Sequence, residues 1–225
     1  MDAMELERLI KGRRSIRAWQ GKSIPEDQLL KAIELATWAP NGGNRQNWHF
    51  YAVLNRDTIK AIWDAAQAGR DLMASWPETA QFGAFPAPPR QAQAAPSPQV
   101  RSPLASAPAV IAVGTRRAEN PMEKTLRERG KADPKAARML EWNITVDARI
   151  QSVSAAIAYL LLVLHQMGMG AVWMTGPLPQ CKGDVERLLG MPPDMDLVAL
   201  IPVGYPAESP TRDRKPASEV TTVIR

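Results

Sequence analysis

Val153-Ser-Ala-Ala-Ile-Ala-Tyr-Leu-Leu-Leu-Val-Leu164 is the most apolar run of the 225-residue chain. It is twelve residues long, follows the polar Gln151 and Ser152, and falls well short of the roughly 20 apolar residues a membrane-spanning helix needs. It therefore reads as a buried helix. Extended back to about Trp142 and forward to Met167, with Gly168 and Gly170 as stop signals, it makes one long helix, polar at its start and apolar nearly all round later. Such a helix belongs in a core or at a subunit interface, which places the chain among globular proteins.

Upstream, Ser23-Ile-Pro25-Glu26 offers a Ser cap, a first-turn Pro and a Glu three residues on. Leu29, Leu30, Ile33 and Ala36 follow at helical spacing, and Pro40 should stop that helix. Trp48 to Leu54 is rich in aromatic and branched residues between turn signals and predicts a strand, and a helix follows from about Arg56 to Gly69. Ala109 to Gly114, Ala171 to Met174 and Leu197 to Val203 predict further strands, with a short helix over Cys181 to Leu189. Helices and strands mix without the regular alternation of a doubly wound sheet, so the class is α+β in a single domain spanning 1–225. Residues 82–108 hold seven of the twenty prolines and seven alanines but no Asp or Glu. Proline removes backbone donors, and a loop or lid over about 76–108 is expected.

Apolar residues make up 45% of the chain and charged ones 23%, enough apolar side chain to offset the entropy of ordering. Lys plus Arg is 28 against 23 for Asp plus Glu, an excess of five that suits an anionic ligand or a nucleic acid equally. The single Cys181 excludes an intramolecular disulfide, and His49 and His165 cannot build a multi-histidine metal centre, so any redox chemistry must come from a borrowed cofactor. The first ten residues carry Asp2, Glu5, Glu7 and Arg8 and no apolar core, so no secretory signal is read there and a cytoplasmic protein is expected.

Four segments could carry chemistry. Arg13-Arg14-Ser15-Ile16-Arg17 puts three guanidinium groups and a hydroxyl within five residues, a set that suits phosphate through paired, charge-assisted hydrogen bonds. A solvated basic turn or a nucleic-acid patch would look the same. Pro40-Asn41-Gly42-Gly43-Asn44-Arg45-Gln46-Asn47-Trp48 is dense in amides and glycines, fit for a flat heterocycle or for simply ending a helix. Gly168 to Leu178 runs a strand into a Thr175-Gly176-Pro177 turn whose N–H groups could meet a ligand or none. Gly204-Tyr205-Pro206 is followed by Arg212, Arg214, Lys215 and Pro216, a strand end and a basic tail.

Taken together and in this order, the four segments resemble the FMN-dependent nitroreductase family. Its pattern is an opening R-R-S-x-R, a P-[SN]-G-G-N-x-Q-x-W loop, a glycine-rich strand with a T-x-P turn, and a closing P-x-G-Y-P with R-K-P. The resemblance spans nearly the whole chain. It implies a mixed, mainly antiparallel sheet flanked by helices in an intertwined homodimer. It implies FMN, with Arg13 and Arg214, and Arg212 as a weaker partner, on the phosphate. Arg14 and Ser15 would meet the ribityl chain or pyrimidine edge, and Arg17 would lie beside N1 and O2, where a fixed cation favours the reduced anion. Pro40, Asn41, Gly42 and Asn44 would complete the site from the other subunit, and Thr175 and Gly176 would lie along the isoalloxazine. NADH or NADPH would then supply a hydride to flavin N5, and a small electron-poor acceptor such as a nitroaromatic or quinone would remove it in a ping-pong cycle.

Asn47 stands where many members have proline, and Asn41 where serine is common. The proline-rich stretch is longer than in the simplest members, so Trp76, Phe82, Phe85 and 86–101 could cover the acceptor side or merely pack the loop to the body. Two relatives within the family offer alternative activities, a reductive dehalogenase of the deiodinase type and a flavin-fragmenting dimethylbenzimidazole synthase. The deiodinase type uses acidic and tyrosine contacts that 82–108 lack. Outside the family stands a basic nucleic-acid-binding module built on Arg13, Arg14, Arg17, Arg116 and Arg117, although the resemblance implies neither a nucleic acid nor a membrane as partner.

Overall fold

A computed structural model describes residues 3–81, 102–117 and 120–225. Its centre is a four-stranded sheet of β1 (Trp48–Val53), β2 (Ala109–Arg116), β3 (Gly170–Ala171) and β4 (Met195–Gly204), in the spatial order β1-β2-β4-β3 with every named pair antiparallel. A parallel bridge from Ser15 to Ala171 extends the β3 edge and makes the sheet mixed.

Both faces of β2 are covered, which explains why Ala109 to Val113 is a continuous apolar run and not an alternating one. Ala109, Ile111 and Val113 pack with α2 (Glu26–Ala36) and α8 (Ala148–Gln166) on one face; Val110 and Ala112 pack with α3 (Arg56–Ala74) and α9 (Leu178–Leu188) on the other. In α8, Val153, Ala156, Ile157, Leu160 and Leu164 recur at helical spacing and are buried against the sheet, each large side chain stabilising by about 1.5–3 kcal/mol. Helices α3 and α9 cross so closely that a Cβ on Gly69 would sit 2.3 Å from the Gln180 carbonyl oxygen.

The remaining described helices are α1 (Ala3–Gly12), α4 (Pro77–Gln81), α5 (Pro103–Ser106), α6 (Pro121–Arg129), α7 (Pro134–Val146) and α10 (Ala217–Val220). Helices α6 and α7 pack mainly on each other. Asn120 and Asp133 cap them through their side chains, and Pro121 and Pro134 occupy the first turns.

Several sequence expectations change. The single long helix from Trp142 to Met167 is two helices, because Asp147 adopts a left-handed φ of 32° and its carboxylate caps α8 at the Ile150 N–H. The run 134–166 has the length and apolarity of a membrane span, yet Asp147 divides it and α8 turns its apolar face to the sheet. Ser23 caps nothing; Pro25 occupies the cap position of α2 without a side-chain bond. The strand expected over 171–174 shrinks to Gly170–Ala171 plus an isolated bridge from Met174 to Leu200. Helix α3 runs five residues past Gly69. Of the expected loop or lid, α4 lies at its start, 82–101 fall outside the described residues, and the end is packed structure, with Leu104 and Ala107 fully buried.

An ion network joins the layers away from these motifs. Asp196 on β4 receives Arg149 of α8 at 2.6 Å, Lys182 of α9 at 3.0 Å and Arg117 at 3.4 Å, while Glu186 pairs with Lys182 at 2.6 Å and accepts the Leu197 N–H at 2.8 Å.

Candidate cofactor site

The opening arginine segment leaves α1 at Gly12 and adds to the sheet edge. Ile16 donates its N–H to the Ala171 carbonyl at 3.0 Å, and its side chain is buried over Gly170. A Cβ on Gly170 would lie 2.7 Å from Ile16 Cγ1, so glycine here admits the segment itself. Trp19 then bridges to Pro206, and a Cβ on Gly204 would stand 2.3 Å from the Trp19 ring. Gly170 of the third motif and Gly204 of the fourth thus let protein approach protein.

This threading brings the two ends of the chain to one place. Arg13 and Arg14 from the start, with Arg212 and Arg214 from the end, line a cleft of about 650 Å³ floored by Ala158, Leu161, Leu162 and Trp173. Asp213 also lines it, but among the described residues none of the four arginines forms an ion pair; Lys11, beside them, pairs with Glu7. Arg14 donates to the carbonyls of Lys11 and Arg13, and Arg214 to that of Asp213. Burial, then the charges of Arg214 and Arg14, push the Arg13 guanidinium below its ordinary pKa. Guanidinium groups gathered without a carboxylate partner leave a site whose charge an anion would neutralise.

A smaller cavity of about 170 Å³ adjoins, sharing Arg13 and Arg14 and adding His165, Gly170 and Glu208. Burial and the charges of Arg13 and Arg14 hold the His165 imidazole below its usual pKa, so it stays neutral near pH 7. Neither His165 nor Glu208 was marked by sequence reasoning. Glu208 carried a signal in standing two residues past Pro206 of the closing motif.

The other expected site residues do not line either of these cavities. Arg17 is exposed and its guanidinium turns back to the Ser15 carbonyl at 3.3 Å. Thr175 and Gly176 sit in the turn before α9, and their N–H groups meet no acceptor among the described residues. The loop with Pro40, Asn41, Gly42 and Asn44 forms a 3₁₀ turn (Gly42–Asn44) against α8. Asn41 accepts the Gln46 N–H at 2.9 Å, closing the loop on itself, and Gly43, Asn44 and Gln46 all have positive φ. Two non-glycine residues in that region cost energy, which the fold around them must supply.

Arg116 and Arg117 do not join the cluster. They sit at the opposite end of β4 from Gly204, about 30 Å along the strand, paired with Asp194 and Asp196. The continuous basic face that the nucleic-acid alternative requires is not formed by these residues.

The chain is 29% identical over 216 residues to a protein of Methanothermobacter thermautotrophicus that carries the provisional name NADH dehydrogenase/NAD(P)H nitroreductase, covering 95% of this chain and 82% of that one. It is 30% identical to the NADH dehydrogenase of Thermus thermophilus, covering 87% and 84%. In fold it matches a BluB-like flavoprotein of Clostridium difficile 630 with a TM-score of 0.78 at 24% identity, over 99% of this chain and all of that one. The model of the nitroreductase family matches residues 10–205, from the last turns of α1 to the tyrosine after β4, and the chain belongs to that family.

Proposed function

We propose that this chain is an FMN-dependent NAD(P)H oxidoreductase, cytoplasmic and homodimeric, that reduces a small electron-poor acceptor. The observation that carries the reading is the set of four arginines from both chain ends lining one apolar-floored cleft without ion-paired carboxylates. Guanidinium forks match a phosphate monoester, and Leu161, Leu162 and Trp173 offer apolar surface to a flat ring system. The residues present fit FMN. When bound, FMN supplies two-electron hydride chemistry between a reduced nicotinamide and the acceptor.

The chain's own residues orient and bias that chemistry. Arg13 and Arg214, helped by Arg212, hold the phosphate; Arg14 and Ser15 address the ribityl chain; Arg17 supplies a cation to the pyrimidine edge. Thr175 and Gly176 offer free N–H donors to the ring edge. Pro40, Asn41, Gly42 and Asn44, on a loop already fixed by Asn41, would close the site from a second subunit. Dimerisation is further supported by apolar side chains left exposed: Trp38 at 78%, Trp142 at 57% and Ile224 at 91%.

The test is anaerobic. The purified, FMN-loaded protein should be bleached by NADH or NADPH and recover its colour with one or more of a nitroaromatic, a quinone or a haloaromatic. Colour lost irreversibly under oxygen would favour the flavin-fragmenting alternative, recovery with haloaromatics alone the dehalogenase one. A flavin that neither nicotinamide bleaches would overturn the oxidoreductase reading.

A further inference from the structure

One carboxylate ties the two arginine arms together. Glu208 Oε1 accepts the backbone N–H groups of Arg17 at 2.5 Å and of Ala18 at 3.2 Å. Around it, Ala207 donates to the Ala18 carbonyl at 2.9 Å and Gln20 to that of Tyr205 at 2.8 Å. Arg17 stands four positions after Arg13, and Arg212 four positions after Glu208. Each span reaches at most about 14 Å, so the tether sits midway along the chain path from one arm to the other.

We infer that Glu208 is a positioning residue that locks the opening arginine segment against the closing one and so sets the spacing of the phosphate clamp. The inference rests on the FMN reading above. Its sign is opposite to what charge alone dictates. Glu208 lines the smaller cavity with Arg13, Arg14 and His165, and a carboxylate there opposes an incoming anion. If charge were its whole effect, removing it would tighten phosphate binding. If it positions, removing it loosens the clamp, because the Arg17 and Ala18 amides turn to solvent and the arms separate. The tether is exposed, so its loss costs the fold little.

The experiment compares Glu208→Ala and Glu208→Gln in the full chain. FMN and riboflavin are titrated by flavin fluorescence, and amide exchange is followed in the flavin-free protein. Glu208→Ala is expected to weaken FMN binding by about tenfold, the scale of one charge-assisted hydrogen bond, with riboflavin affinity unchanged and faster exchange at the Arg17 and Ala18 amides. Glu208→Gln keeps an acceptor oxygen and should bind FMN as tightly as the parent or more so. The inference is overturned if Glu208→Ala tightens FMN or leaves it unchanged, if FMN and riboflavin weaken equally, or if the two amides exchange as before. A parent chain that takes up no FMN overturns the cofactor reading and the clamp with it; FMN uptake indifferent to Glu208→Ala overturns this inference alone.

Discussion

Replacing Arg214 by alanine should weaken FMN binding by about 10- to 100-fold, the 1.5–3 kcal/mol of a charge-assisted contact to phosphate. Riboflavin, which has no phosphate, should bind as before. The flavin-free variant should melt at the parent's temperature or slightly above it, because Arg214 lines the cleft with Arg13 and, after burial, its charge helps hold the Arg13 pKa down. Removing one of two like charges relieves that repulsion. Fluorescence titration with both flavins and a thermal melt check the three expectations together. Unchanged FMN affinity would remove Arg214 from the clamp, and a large fall in melting temperature would make it a structural residue.

The second large effect is on stability and its pH dependence. Asp196→Asn removes a carboxylate that three cations surround at 2.6 to 3.4 Å and whose side chain is 16% exposed. Breaking a buried pair costs about 3–5 kcal/mol, and the partial exposure of the partners reduces this to about 2 kcal/mol. For a chain of this length that is a melting shift of about 4–8 °C at pH 7. Burial pushes the Asp196 carboxyl up, but the hydrogen bonds and positive charges of Arg149 and Lys182 together outweigh it and hold the pKa below its ordinary value of 3.8. A carboxyl depressed by folding contributes stability that is complete above its unfolded pKa and is lost as pH falls through the folded one. The gap between parent and variant should therefore be full near neutrality and close as pH falls below about 4. Melting curves across that range test the sign; a constant gap would show that Asp196 acts by packing alone.

Much of the architecture was legible because its signals are local. The run from Ala109 to Gly114 announced a strand, and Val153 to Leu164 a helix for a core or a subunit interface; only the packing shows that both faces of the strand are covered. The break at Asp147 was hidden, since an aspartate is tolerated inside a helix and only its left-handed backbone ends α7 and caps α8. Helix α6 and the part of α7 before Trp142 were missed because α6 and α7 bury little beyond Leu126 and Ala136 and leave Met122, Met139, Trp142 and Ile144 exposed, so no single apolar stripe stands out. The pairs Asn120-Pro121 and Asp133-Pro134 were there to be read as helix starts. Ser23 misled because a good capping residue does nothing unless its backbone lies one residue before the helix.

At the site, the motifs named the arginines, but only the fold shows that residues about 200 positions apart share a cleft. The sequence alone did not explain Gly170 and Gly204, which make room for Ile16 and Trp19. Glu208 was passed over because a single acidic residue near a basic tail looks like ordinary charge balance until its oxygen is seen on two amides.

The central claim is that the arginines of the two chain ends form a phosphate clamp for FMN. The most direct measurement is a side-by-side titration of the flavin-free protein with FMN and riboflavin at low and high salt. The account predicts one FMN per chain, bound at least about 100-fold more tightly than riboflavin, as two charge-assisted contacts imply, with a preference that shrinks as salt rises. Equal affinities for the two flavins, or a preference indifferent to salt, would contradict it.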